Sequence, residues 1–225
     1  MPQSRDKKLS KRAQKRLEDG AAPDGQVVSN LRPLSMSAPM HTWTVYECLV
    51  PQNWDSPGEL VQLVVTRRSD AGEFASAIFL IDLGCLGVKN ADALRFTDDN
   101  EYQAWLHTLP VYAAMQRISL DLAAKIVRTA LDYAASLGFR PHRDYAQASP
   151  FLRDAHPEQA DENVPTGLNS KPYFISGPYD NIRKITQQLD RKVGAGNYEV
   201  LLLGGPLSAL PPNNPSILDD PDARL

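Results

Sequence analysis

The stretch ELVQLVVTRRSDAGEFASAIFLI, residues 59–81, decides the fold class of this chain. Both ends of the stretch are rich in β-branched and aromatic residues, which favour strands, and the polar RRSDAG between them is typical of a hairpin connection. The second predicted strand, residues 74–81, is almost continuously apolar, as expected for a strand buried on both faces. Upstream, residues 42–50 (TWTVYECLV) have a similar composition and precede a turn-forming segment. The sequence therefore predicts a meander of three antiparallel strands.

Helical spacing replaces the strand pattern in the second half of the chain. In residues 120–137 apolar side chains recur every three or four positions, which predicts an amphipathic helix. Ser119 is placed to cap the start of this helix, and Gly138 stands where a left-handed residue would end it. A shorter helix, capped by Asp98 or Asp99, is predicted before it.

Three later elements complete the predicted domain. These are a strand at residues 173–176, a helix at residues 181–193 and a strand at residues 198–203. We therefore expect an α+β fold in which the two later strands extend the three-stranded antiparallel meander and the helices pack on one face.

Both ends of the chain differ in composition from its middle. Residues 1–40 combine a basic arm with a linker rich in Gly, Pro, Ser and Asn, and residues 206–225 contain five prolines and three aspartates. Such compositions are typical of disordered segments. We therefore predict a single α+β domain over residues 41–205, between a disordered basic arm and a Pro-rich acidic tail.

The charge of the chain is unevenly distributed. The net charge is −3, yet residues 1–20 carry seven Lys or Arg against three Asp or Glu. A cationic arm attracts nucleic acid through its phosphates without reading the base sequence. The alternative is a solubilising terminus, because the arm has no aromatic residue for base stacking. The cations predicted to contact phosphate are Lys7, Lys8, Lys11, Arg12, Lys15 and Arg16.

Membrane insertion and secretion are not expected. The longest apolar run, residues 75–83, is far shorter than the roughly 20 residues that span a bilayer. The basic N-terminus is not followed by the apolar region of a signal peptide, and Cys48 and Cys85 lie in apolar, strand-like surroundings. We therefore expect a cytoplasmic protein with reduced thiols.

The first candidate site is GFRPHRDY, residues 138–145. His142 and Asp144 are residue types that ligate metals or transfer protons near neutral pH. The alternative is a joint between two helices, in which the Gly-Phe pair caps the first helix and Asp144 with Gln147 forms a capping box for the second. The capping interpretation leaves His142 without a role.

The second candidate site is FLIDLGCLGVKN, in which Asp82 ends a buried strand. Carboxylates at strand ends can bind catalytic magnesium, but this is an analogy at the level of the fold. The spacing of the glycines and Lys89 does not match a phosphate-binding P-loop. A turn with a satisfied aspartate and a solvated lysine explains the same residues, and Cys85 is a weaker candidate as a nucleophile because no histidine is near it in sequence.

The third candidate site is KPYFISGPYDNIRK, a strand, a Gly-Pro turn and the start of a helix. The helix N-terminus together with Lys171, Arg183 and Lys184 could hold an anion. The alternative is a helix cap formed by Asp180 or Asn181, since a capping carboxylate would occupy the anion position.

Two classes of function follow from these patterns, and whether the chain is an enzyme stays open. The preferred class is a nonenzymatic binding or regulatory module in a nucleic-acid-associated complex, without a cofactor, whose acidic body or tail contacts a protein. The alternative is a metal-dependent hydrolase, such as a nuclease, that uses a divalent metal ion held by Asp82, His142, Asp144 and Asp180.

Overall fold

The computed structural model describes residues 32–33 and 43–202 of the chain. The predicted arm, most of the predicted linker and the Pro-rich tail lie outside the described residues. The strands are β1 (Arg32–Pro33), β2 (Thr44–Pro51), β3 (Leu60–Arg68), β4 (Phe74–Asp82), β5 (Gly87–Phe96), β6 (Met115–Ile118), β7 (Tyr173–Ser176) and β8 (Glu199–Leu202). The helices are α1 (Asp99–Leu106), α2 (Leu120–Ser136), α3 (Tyr145–Ala148) and α4 (Ile182–Val193).

The predicted α+β class is confirmed. Five strands form an antiparallel sheet in the order β5-β4-β3-β2-β6, and the two-residue β1 pairs with the free edge of β5.

The meander contains a fourth strand, β5, that the sequence did not predict. Polar residues break the apolar pattern of this strand, and its solvent-facing positions Asn90 and Asp92 are exposed. The sequence predicts the turn at residues 83–86 but not the strand that follows it.

The two later strands form where they were predicted, but they pair differently from the prediction. β7 and β8 pair in parallel with each other in a sheet of their own and do not extend the meander. Parallel neighbours require a crossover connection, and α4 supplies it. Phe174 from β7 and Leu189 from α4 are buried together with Leu137 and Cys85, so a second apolar cluster joins this small unit to the rest of the domain.

Helices cover both faces of the main sheet, whereas the sequence predicted helices on one face. Alternate strand residues such as Val65 and Ala77 pack against α2 in the main core. Their neighbours on the opposite face, such as Thr66, meet Tyr102 of α1. Because successive residues of a strand point to opposite faces, α1 and α2 lie on opposite sides of the sheet.

The ends of α2 follow the prediction closely. The Ser119 side chain accepts a hydrogen bond from the amide of Leu122, as an N-cap does. At the other end Gly138 has a φ of 84°, and its amide donates to the carbonyl of Ala135. The Phe139 amide donates to the carbonyl of Ala134, which completes a Schellman motif.

Candidate functional site

Asp82 lies at the end of β4, where its side chain organises the following turn. One carboxylate oxygen accepts hydrogen bonds from the amides of Gly84 and Cys85 at 2.7 and 3.0 Å. A Cβ at Gly84 would overlap the carbonyl oxygen of Tyr173, so the close contact between this turn and β7 requires glycine. Burial raises the pKa of Asp82, and the amide hydrogen bonds and the charge of Lys89 oppose that rise. The contacts give Asp82 a structural role in the turn.

Asp180 closes the turn at residues 177–180, directly before α4. Its Oδ2 accepts hydrogen bonds from the Gly177 amide and from the Lys89 Nζ, both at 2.7 Å. Both partners of the ion pair are mostly buried, with side-chain exposures of 13% for Lys89 and 14% for Asp180. The predicted helix cap is formed by Asn181, whose side chain accepts from the Lys184 amide. Lys89 therefore links the main sheet to the turn that precedes α4.

His142 and Asp144 interact mainly within their own loop. The His142 Nδ1 lies 3.5 Å from the nearer carboxylate oxygen of Asp144, and the His142 amide donates to the carbonyl of Val88 on β5. Asp144 precedes α3 but makes no side-chain capping bond, so the predicted capping box with Gln147 is not formed. The loop does join two helices, and it is held by backbone hydrogen bonds and the Gly138 cap without a capping bond from Asp144.

The four residues of the hydrolase alternative belong to two separate groups. Asp82 and Asp180 both interact with Lys89, whereas His142 and Asp144 interact with each other. Within residues 43–202, no group of three or more His, Cys, Asp or Glu side chains is arranged to hold a metal ion. The metal-dependent alternative therefore gains no support from the geometry of the described residues.

Both cysteines are buried as free thiols in apolar surroundings. Burial raises the pKa of Cys48 to about 12, and it raises the pKa of Cys85 further, assisted by the nearby Asp82 charge. Since the thiolate is the reactive form, these environments make both thiols poor nucleophiles at neutral pH. The contacts give Cys85 a packing role.

A buried polar network on the α1 side of the sheet was not anticipated from the sequence. The Tyr102 hydroxyl donates to Glu47 at 2.6 Å and accepts from the Thr66 hydroxyl at 3.0 Å. A bulge in β2 precedes Glu47, whose other carboxylate oxygen lies 2.7 Å from the exposed Arg117. Burial and the hydrogen bond to Glu47 raise the pKa of Tyr102. Because these polar atoms satisfy one another, the network fixes α1 on the sheet.

The outer side of α4 carries exposed cations, which we call the cationic face. Its members are Arg183, Lys184, Arg191 and Lys192. The apolar residues Ile182, Ile185 and Leu189 point into the core of the small unit, so the helix presents its charged side to solvent. Among the described residues, no carboxylate lies within ion-pairing distance of these four cations. The single acid of the helix, Asp190, accepts a hydrogen bond from the Tyr198 hydroxyl.

Only the first half of the cationic face was recognised in the sequence. The sequence places Arg183 and Lys184 beside a candidate anion site but does not connect Arg191 and Lys192 with it. The separation of Lys184 and Arg191 by seven residues was the available signal, because it corresponds to two turns of one helix and a rise of roughly 10 Å. Lys184 and Arg191 therefore lie above one another on α4, and Arg183 and Lys192 flank them.

Comparison of the chain with family models, curated proteins and solved structures gave no match. Among the described residues, no helix is both long enough and apolar enough to cross a membrane.

Proposed function

We propose that the protein is a nonenzymatic binding module that holds nucleic acid by its phosphates in a larger complex. The cationic face of α4 is the observation that carries this proposal. Cations without carboxylate partners are not neutralised by an ion pair, so they can bind an anionic ligand. Nucleic acid presents a phosphate at every nucleotide, and Lys and Arg side chains bind phosphate. The basic arm, through Lys7, Lys8, Lys11, Arg12, Lys15 and Arg16, adds a second cationic segment of the same chain.

The contrast between two parts of the body supports this assignment. Residues 43–170 carry ten Lys or Arg against seventeen Asp or Glu, whereas residues 171–202 carry five Lys or Arg against three Asp or Glu. An acidic surface repels phosphate, so a nucleic acid would meet the body along the α4 side. The acidic body, or the tail, would then be left for a protein partner. We further propose a cytoplasmic location, which the two free, buried thiols support.

The affinity of the full chain for duplex and single-stranded oligonucleotides tests the proposal. Replacing Arg183, Lys184 and Arg191 together with glutamine should weaken binding to unrelated base sequences about equally, since phosphate contacts carry no sequence information. Removing residues 1–20 should weaken it as well. Arg128→Gln is the matched control, because Arg128 is an exposed helical cation 3.9 Å from Asp132. Unchanged affinity in the triple variant would contradict the proposal.

The hydrolase alternative can be checked independently. Thermal unfolding of the full chain with magnesium, manganese or zinc would reveal a native metal site, because a ligand that binds only the folded state raises stability by mass action. We expect no increase in the unfolding temperature. A clear increase that is lost in the His142→Ala variant would favour the alternative.

A further inference from the structure

Tyr179 presents an aromatic ring to solvent beside the cationic face of α4. Its side chain is 88% exposed, about twice the exposure of Leu60 at 43% or Leu201 at 44%. Among the described residues, its hydroxyl has no hydrogen-bond partner and its ring contacts no other aromatic ring. Tyrosine rings usually contribute to stability through burial or a hydroxyl contact. The packing of the described residues gives this ring no such role.

The turn that carries Tyr179 is held in place on both sides. Pro178 fixes the backbone before Tyr179, and Asp180 after it accepts hydrogen bonds from the Gly177 amide and from Lys89. The Asp180 amide donates back to the Gly177 carbonyl. A side chain on such a constrained turn loses less conformational entropy when it binds a ligand than one on a loose loop.

Tyr179 is also close to the first cations of α4. Arg183 follows four residues later, so the two Cα atoms are at most roughly 14 Å apart, and the intervening helix turn makes the distance shorter. The basic arm contains no Phe, Tyr or Trp in its first twenty residues. Any stacking of bases by this protein would therefore come from the body, and the body offers Tyr179 next to phosphate-binding side chains.

The combination of ring and cations favours one form of nucleic acid. In a duplex the bases are stacked inside the helix, whereas an unpaired base exposes a face that can stack on an aromatic ring. We propose that Tyr179 makes the α4 surface select single-stranded nucleic acid, with an unpaired base stacked on its ring and the neighbouring phosphates bound by Arg183 and Lys184. This inference rests on the nucleic-acid-binding function proposed above.

The test compares the full chain and three variants on matched ligands. The probes are fluorescently labelled oligothymidylate and oligouridylate of about 16 nucleotides and a duplex of the same length. Tyr179→Ser should weaken binding to at least one of the two single strands by about 5-fold or more, which corresponds to about 1 kcal/mol of lost stacking. Tyr179→Phe should keep the affinity, because the ring remains. Leu60→Ser, which removes another exposed apolar side chain, is the control.

The outcomes separate the inference from the function on which it rests. A loss confined to single strands supports the role of Tyr179. If Tyr179→Ser binds single strands like the unmodified protein, or weakens duplex and single strands equally, selection by stacking is overturned while phosphate binding by α4 stands. If the unmodified protein binds none of the probes, the proposed function and this inference both fall.

Discussion

Two turns that lead into helices differ in how the fold uses their aspartates. In the turn before α3, Asp144 is 45% exposed and lies 3.5 Å from both His142 and Arg143, its neighbours in sequence. In the turn before α4, Asp180 is 14% exposed and bonds to Lys89 from a strand of the main sheet. Asp180 is therefore held by a partner that is distant in sequence, whereas the charged partners of Asp144 lie within its own turn.

The two turns therefore differ in how firmly they hold the side chains beside each aspartate. Lys89 and Asp180 fix the backbone of the turn that presents Tyr179 and begins α4. In the turn before α3, the residues near Asp144 are stabilised mostly by the backbone. We therefore expect changes at the Lys89–Asp180 pair to affect stability strongly and changes at His142 or Asp144 to affect it weakly.

The largest effect is expected from Lys89→Met. The substitution leaves the Asp180 carboxylate mostly buried without its cation, which should lower the free energy of unfolding by about 2 to 4 kcal/mol. Urea denaturation of the full chain measures this change. Arg128→Met is the control, because the exposed Arg128–Asp132 pair should contribute less than about 0.5 kcal/mol.

A double variant sharpens the same test. Combining Lys89→Met with Asp180→Asn removes both charges, so the double variant should be more stable than the sum of the two single losses implies. Strict additivity of the two losses would show that the carboxylate and the ammonium group do not interact in solution, and the contrast with Asp144 would then disappear.

An intermediate effect is expected from Asp82→Asn, which tests the most buried of the three carboxylates. Burial raises the pKa of Asp82 above its usual 3.8, so the folded state binds a proton more tightly than the unfolded state. The contribution of Asp82 to the stability of the unmodified protein should therefore fall as pH rises from 3.8 towards the higher folded-state pKa. Asparagine can still accept the turn amides but does not titrate.

The measurement for Asp82 is the free energy of unfolding of both proteins at a series of pH values from about 3.5 to 7. The stability of the Asp82→Asn variant relative to the unmodified protein should increase with pH across that window. Parallel pH profiles would show that Asp82 titrates alike in the folded and unfolded states. A decrease in the relative stability of the variant with rising pH would show that folding lowers the pKa of Asp82, opposite to the effect of burial.

The smallest effects are expected from His142→Ala and Asp144→Ala. Both side chains are more than a third exposed, and Asp144 makes no capping bond, so each substitution should change the free energy of unfolding by less than about 0.5 kcal/mol. Urea denaturation measures both. A loss of 2 kcal/mol or more at Asp144 would mean that the two turns are equally dependent on their aspartates.

Local patterns in the sequence predicted much of the fold. The elements that depend on nearby residues lie where they were expected. These are the hairpin of β3 and β4, the helix α2 with its caps, and the positions of β7, α4 and β8. The strand β5 was missed because its exposed face is polar. The parallel pairing of β7 with β8 was missed because the choice of a strand partner depends on contacts between distant residues.

The candidate sites show the same limit. Asp82 and Asn181 satisfy amides within four residues of themselves, and the turn and cap interpretations anticipated such roles. The partnership of Lys89 with Asp180 joins residues that are far apart in sequence, so no spacing could indicate it. Part of the cationic face was visible in principle, since Lys184 and Arg191 are two helical turns apart.

The most direct test of the account is the salt dependence of nucleic-acid binding by the full chain and by the Arg183→Gln, Lys184→Gln, Arg191→Gln triple variant. Each phosphate contact adds about 0.7 for single strands to the slope of log affinity against log salt concentration. We expect the slope of the triple variant to be shallower by about 2 and that of Arg128→Gln to be unchanged. Equal slopes for the triple variant and the unmodified protein would contradict phosphate binding by α4.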